Sequence, residues 1–139
     1  MTTFLINMAK LFGIIFLRFR LVPRVWCAWL VAVNGASLAF ITQIEGQVVL
    51  AVTGIAVVTQ TLVYGRNGFT RILGTTHILW VPMFAWMALR WDAIASDPAM
   101  AAWVTVLFVT NLTSFVVDVI DALRFARGER APHYQWALA

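Results

Sequence analysis

The sequence predicts an all-α integral membrane protein. We expect a four-transmembrane-helix up-down bundle with both termini in the cytoplasm, preceded by an N-terminal amphipathic helix that lies in the membrane plane. Three observations predict this fold class. Charged residues make up only 12% of the chain and hydrophobic residues 62%, whereas about 25% of a soluble domain is charged. Four windows without Asp, Glu, Lys or Arg are long enough to span a bilayer, and the basic residues cluster on one side of them.

Residues 1–22 form the predicted amphipathic helix. The stretch from Phe4 to Leu17 is very apolar, but it is shorter than the roughly 20 residues that a transmembrane helix needs. Asn7, Lys10 and Arg18 fall near one helical stripe. A polar stripe on an apolar helix is typical of a helix lying in the interface, here on the cytoplasmic face.

The predicted bundle comprises residues 23–123, and its four spans are helices because only helices and closed barrels satisfy the backbone inside lipid. The connections are short, with Asn67-Gly68 as a turn signal and Pro98 suited to a first helical turn. Short connections place consecutive helices side by side and antiparallel. The predicted spans cover about residues 25–44, 46–65, 72–89 and 98–121.

The basic residues predict the orientation. Of the ten Lys and Arg residues, only Arg90 falls on the outer side, beside Glu45, Asp92 and Asp97. The other nine lie on the opposite side, which the positive-inside rule assigns to the cytoplasm. We therefore expect a multi-pass protein of a bacterial-type inner membrane with a cytoplasmic basic tail, residues 124–139. The basic residues would contact anionic inner-leaflet lipids and not nucleic acid. The nine are Lys10, Arg18, Arg20, Arg24, Arg66, Arg71, Arg124, Arg127 and Arg130.

Several kinds of chemistry are excluded by what the sequence lacks. Cys27 is the single cysteine, so an internal disulfide and a dithiol redox enzyme are excluded. His77 and His133 are the only histidines, and His133 lies in the tail, which disfavours a bis-histidine haem within one protomer. The sequence has no metal-ligand spacing and no nucleotide-binding glycine pattern. We predict no cofactor, no metal and no catalytic residue.

Polar residues occur inside all four predicted spans, at two shared depths. Counting 1.5 Å per residue from the cytoplasmic ends puts two asparagines near the midplane, and a Gln, a His and an Asp in the inner third. On the fourth span the polar residues are spaced by three and four positions, so they share one face of the helix. The set consists of Asn34, Gln60, His77, Asn111, Ser114 and Asp118.

These residues have two interpretations. In the first, they line a pathway that is open to cytoplasmic water, in which His77 and Asp118 titrate and the two asparagines form the constriction. In the second, they hydrogen-bond to one another and hold the helices together. Asp121, one turn beyond Asp118, would then pair with Arg124 or Arg71 at the interface.

The first interpretation predicts a small homo-oligomeric membrane channel or transporter for a small ion or solute. Ala28, Ala32 and Ala36 form a strip of small residues that would let the first span pack closely against a second protomer. An alternative is a non-catalytic accessory or scaffold subunit of a larger membrane complex. A third is a lipid-modifying intramembrane enzyme, for which His77, Asp118 and Asp121 are the candidate group.

Overall fold

The computed structural model describes residues 1–130, and all regular structure in that part of the chain is helical. Four helical segments are long and apolar enough to cross a membrane, which confirms the predicted all-helical membrane fold class. They are called here the first to fourth spans: Leu21–Phe40, Ile44–Asn67, Arg71–Leu89 and Pro98–Ala126. His133 and most of the predicted tail lie outside the described residues.

The helices are not uniformly α-helical. A π-helical turn, Ile14–Arg18, follows α1, and two 3-10 segments complete the first and third spans. The first span is α2 followed by the 3-10 segment Ala36–Phe40, and the third is the 3-10 segment Arg71–Leu79 followed by α4. The α-helices are α1 (Thr2–Gly13), α2 (Leu21–Gly35), α3 (Ile44–Asn67), α4 (Trp80–Leu89), α5 (Trp91–Ala95) and α6 (Pro98–Ala126).

The N-terminal segment is helical and packs against α3. Leu11, Ile14 and Phe19 are its buried side chains, and the ring of Phe19 meets that of Phe69 edge-on with 5.4 Å between centroids. The N-terminal segment packs against the second span through a face that includes Asn7, whose amide lies against Gly65, whereas the apolar Leu5, Ile6 and Leu17 are exposed. The predicted separation of a polar and an apolar face is therefore only partial. The orientation of the segment in the plane of the membrane stays a prediction.

Local sequence signals explain where α3 ends and α6 begins. Gly68 follows α3 with a φ of 67°, a left-handed conformation that glycine adopts without strain. Pro98 occupies the first turn of α6, and Asp97 caps it by accepting hydrogen bonds from the backbone N–H groups of Ala99 and Met100 at 2.9 and 3.2 Å. These bonds, that from Met100 first, lower the pKa of the Asp97 carboxyl below its ordinary value.

The third span changes winding along its length. Its first nine residues, Arg71–Leu79, are 3-10 helix, a form that rarely exceeds three or four residues. Pro82 lies in the first turn of the α-helix that follows, where its missing N–H removes little. The third span thus changes helix type just before Pro82.

Two ion pairs mark opposite ends of the spans, and the halves are named after them. Arg71 pairs with Asp121 at 2.6 Å, and Arg90 pairs with the buried Glu45 at 2.8 Å. The side chains of Asn34 and Asn111, in contact with each other, lie between. The "Arg71 half" is the part between the asparagines and Asp121, and the "Glu45 half" is the part between the asparagines and Glu45.

The Glu45 half is a continuous apolar core. Its side chains come from all four spans and from α5, and the ring of Trp103 stacks on that of Phe40 at 4.7 Å while its indole N–H donates to the carbonyl of Val33 at 3.0 Å. Gly46 lies so close to the Phe40 carbonyl that a Cβ would overlap it. The buried members are Val33, Val49, Trp80, Met83, Met87, Ile94, Met100, Trp103, Val104 and Leu107.

Candidate functional site

The two asparagines that were predicted to lie near the midplane form a reciprocal pair. Asn34 Nδ2 donates to Asn111 Oδ1 at 2.9 Å, and Asn111 Nδ2 donates to Asn34 Oδ1 at 3.0 Å. Asn34 also donates to the carbonyl of Leu30 at 2.9 Å, and Thr53 Oγ1 lies 3.5 Å from Asn34 Oδ1. Asn111 is 0% exposed, and a buried amide needs such partners. The pair joins the first span to the fourth.

Gln60, His77 and Asp118 form a chain of hydrogen bonds across the second, third and fourth spans. Gln60 Nε2 lies 2.9 Å from His77 Nε2, and His77 Nδ1 lies 2.8 Å from Asp118 Oδ2. With the amide nitrogen of Gln60 as the donor, Nε2 is the accepting nitrogen and Nδ1 carries the proton that is donated to the carboxylate. The imidazole is neutral in this arrangement.

The 3-10 winding of the third span explains what surrounds His77. Side chains three residues apart eclipse one another in a 3-10 helix. Accordingly, Trp80 stacks on His77 with 4.1 Å between ring centroids and 4° between planes. Gly74, three residues earlier, leaves room for Asp118, whose carboxylate a Cβ at that position would overlap. The chain Gln60–His77–Asp118 therefore depends on a glycine and on the local winding.

Trp80 contributes a polar group that sequence reasoning missed. The side chain is buried, and its indole N–H has no hydrogen-bond partner within the described residues. The sequence signal was its spacing of three from His77, which indicates contact only if the segment is known to be 3-10 helix.

Asp121 pairs with Arg71, one of its two predicted partners. The Arg71 and Asp121 side chains are 9% and 14% exposed. Arg124 instead donates to Glu129 at 2.8 Å, and this hydrogen bond is the main reason why the pKa of Glu129 is lowered. The Arg71–Asp121 pair lies at the end of the Arg71 half.

His77 lines two cavities of the Arg71 half. The first, here the Arg71 cavity, measures about 220 Å³ and is lined by Arg71, Gln60, His77, Ser114, Asp118 and Asp121 among others. The second, here the midplane cavity, measures about 140 Å³ and is lined by Asn34, Thr53, Gln60, His77 and Trp80 among others. Cys27 lies on the wall of each. Both cavities exceed the space that one water molecule needs.

The structure thus brings the predicted polar residues into one connected region. Asn34 meets Asn111, and Gln60 meets His77, which meets Asp118. Ser114 is buried and lines the Arg71 cavity. Whether these residues form a pathway stays a prediction.

The predicted small-residue strip is not uniformly accessible. Ala28 and Ala32 are exposed on the first span, but Ala36 is half-buried and packs against the core of the Glu45 half. The reason is that Ala36 begins a 3-10 segment, in which each residue turns by about 120°, compared with about 100° in an α-helix.

The described part of the chain offers no group of side chains suited to binding a metal ion. Within residues 1–130, no three His, Cys, Asp or Glu side chains come together in a group that could hold a metal ion. The comparisons with known proteins add no family: no protein-family model, curated protein or solved structure matches this chain.

Proposed function

We propose that this chain is a small proton-translocating transporter of the inner membrane, built as an up-down bundle of its four spans. The observation that carries the proposal is the position of the Gln60–His77–Asp118 chain between two cavities. Ionisable groups inside a membrane are costly and usually serve transport or proton relay. Histidine is the side chain whose unperturbed pKa lies in the physiological range.

The hydrogen-bond geometry suggests how a proton is taken up. In the neutral state Gln60 donates to His77 Nε2, and His77 Nδ1–H donates to Asp118. A proton that arrives on Nε2 from the Arg71 cavity turns this nitrogen into a donor, so the Gln60 amide must rotate to offer its oxygen. The imidazolium is then stabilised by Asp118. The other charged groups lining the cavity, Arg71 and Asp121, neutralise each other.

A second conformation is required for the proton to continue. Beyond the midplane cavity lie the Asn34–Asn111 pair and the apolar core of the Glu45 half, which together close the route within one protomer. The 3-10 segment that carries His77 supports a change of conformation, because 3-10 winding within a helix often marks a hinge. Rewinding it would move His77 relative to Asp118.

The orientation of the transporter follows from its basic residues. We propose that both termini and the Arg71 half face the cytoplasm, because nine of the ten Lys and Arg residues belong to that side and only Arg90 to the other. Anionic inner-leaflet lipids would be the partners of the basic residues. A homo-oligomer would assemble on the first span at Ala28 and Ala32, which are exposed.

Proton flux into liposomes tests the proposal. Purified protein is reconstituted with a pH-sensitive dye inside, and a proton gradient is imposed. We expect flux above that of protein-free liposomes, and its loss in Asp118→Asn and His77→Ala. Asp92→Asn is the matched control, since Asp92 is an exposed carboxylate on α5. Undiminished flux in the first two variants would contradict the proposed roles.

The packed Glu45 half favours a second candidate, a non-transporting accessory subunit. An apolar core that spans this half offers no route for a solute, and interhelical hydrogen bonds alone can explain buried amides. Gentle purification distinguishes the two. A stoichiometric partner protein together with absent proton flux would support the accessory role, and flux from the isolated chain would exclude it.

A further inference from the structure

A groove between the third and fourth spans contains one charged group. It measures about 400 Å³, within the roughly 300–1,000 Å³ typical of small-molecule sites. Asp118 is its only charged lining residue, and the walls include Ile78, Phe115, Val119 and Leu123. Ile78 and Leu123 are 59% and 53% exposed, so the groove opens to the surroundings of the spans, which in a membrane are lipid.

Asp118 also lines the Arg71 cavity, so its carboxylate lies between the groove and that cavity. Oδ2 is hydrogen-bonded to His77, whereas Oδ1 lies against Gly74 without a hydrogen-bond partner in the described residues. Because Gly74 has no side chain, the carboxylate fits between the two spans and reaches the groove.

The charge of this site depends on His77. With the imidazole neutral, Asp118 carries an uncompensated negative charge beside apolar walls, which is unfavourable. A cation in the groove would compensate it, and an apolar body would fit the walls. Phe115 lines the groove, and an aromatic ring attracts a cation that lies over its face. When His77 is protonated, the pair becomes neutral and the attraction is lost. The remaining ionisable groups around Asp118 are Arg71 and Asp121, which pair with each other, and the Cys27 thiol.

We propose that the groove binds a hydrophobic cation through Asp118 and that protonation of His77 releases it. This inference rests on the proposed proton translocation and names the substrate class: a monovalent hydrophobic cation, whose binding at Asp118 competes with protonation of His77.

Equilibrium binding of tetraphenylphosphonium to the protein in lipid nanodiscs tests the inference without requiring transport. We expect saturable binding that weakens by at least about tenfold in Asp118→Asn, and that weakens as the pH is lowered, because protonation of His77 makes the His77–Asp118 pair neutral. Tetraphenylborate, of the same shape and opposite charge, should not bind saturably. Asp92→Asn should bind as the wild type does.

A second variant guards against a folding defect in Asp118→Asn. Ile78→Trp fills the groove from an exposed position without altering charge, and it should abolish tetraphenylphosphonium binding. Unchanged binding in both variants, or equal binding of tetraphenylborate, would overturn the inference. So would absent binding together with cross-linking of Ile78→Cys between protomers in a Cys27→Ser background, because a second copy then covers the groove. Binding that persists without proton flux would instead contradict the proposed function alone.

Discussion

The two halves of this molecule use polar groups in opposite ways. In the Glu45 half one ion pair lies at the edge of an apolar core whose central side chains, Val49 and Ile94 among them, are fully buried. In the Arg71 half the polar chain Gln60–His77–Asp118 borders two cavities. Dense packing makes a region rigid, whereas each of these cavities exceeds the space that one water molecule needs and has polar side chains in an otherwise largely apolar wall. We therefore propose that the Glu45 half holds the spans together and that the Arg71 half carries the proposed proton translocation.

The largest expected effect on stability comes from the ion pair of the Glu45 half. Arg90→Met leaves the Glu45 carboxylate buried without its partner, which should lower the free energy of unfolding by about 3 kcal/mol. Glu45→Gln should cost less than about 1 kcal/mol, because Arg90 is 39% exposed and remains solvated. Unfolding in mixed micelles measures both. Equal losses of unfolding free energy in the two variants would contradict the expectation that the Glu45 side chain is buried and the Arg90 side chain is not.

Alanine substitutions at two glycines, one in each half, should have different effects on stability and on proton flux. A Cβ at Gly46 would overlap the backbone carbonyl of Phe40, which cannot move easily, so Gly46→Ala should destabilise by about 1–3 kcal/mol. A Cβ at Gly74 would overlap only the Asp118 side chain. Gly74→Ala should therefore lower the free energy of unfolding less but abolish proton flux.

Gly54→Ala is the control for both glycine variants. Nothing lies within 4 Å of a Cβ at this helical position, so the substitution should stabilise the protein by about 0.5–1 kcal/mol and leave flux unchanged. A loss of flux in Gly54→Ala, or normal flux in Gly74→Ala, would contradict the distinction between the halves.

The asparagine pair at the boundary can be examined by a double-mutant cycle. Asn111→Leu leaves the Asn34 amide buried with one partner fewer, at a cost of about 1–3 kcal/mol. Asn34→Leu should destabilise the protein by a similar amount. The double variant should cost less than the sum of the singles, since each single change already breaks both reciprocal bonds. Additive costs, measured by unfolding in mixed micelles, would show that the hydrogen bonds between the two asparagines do not contribute to stability.

The smallest effect concerns the cap of α6 at the Glu45 end. Because the pKa of Asp97 is lowered in the folded protein, its stabilising contribution is complete above the ordinary pKa of the carboxyl and is lost as pH falls through the lowered value. Asp97→Asn caps without a charge. The difference in Tm between wild type and variant should shrink with acidification, measured by circular dichroism; a constant difference would refute the charge contribution.

The sequence was sufficient for the four spans, because long apolar windows without charged residues can be counted directly. The depths of the polar residues in a membrane stay a prediction. The sequence was insufficient wherever the winding changes. Trp80 stacks on His77, and Ala36 turns toward the core, within or beside 3-10 segments. Neither segment was predicted from the sequence, although the hydroxyls of Thr75 and Thr76 donate to backbone carbonyls three residues earlier within the segment of the third span. The cavities could not be predicted because they depend on how side chains of several spans pack together.

The reactivity of Cys27 measures whether water reaches the cavities of the Arg71 half from the cytoplasm, as proposed. This natural cysteine lines both cavities of the Arg71 half, so no labelling site need be introduced there. A membrane-impermeant thiosulfonate reagent is applied to inside-out and to right-side-out vesicles, with Val49→Cys in a Cys27→Ser background as the control for the Glu45 half. We expect Cys27 to react only from the cytoplasmic side, and Val49→Cys not to react from either side. A Cys27 that reacts from neither side, or only from the outer side, would contradict this proposal.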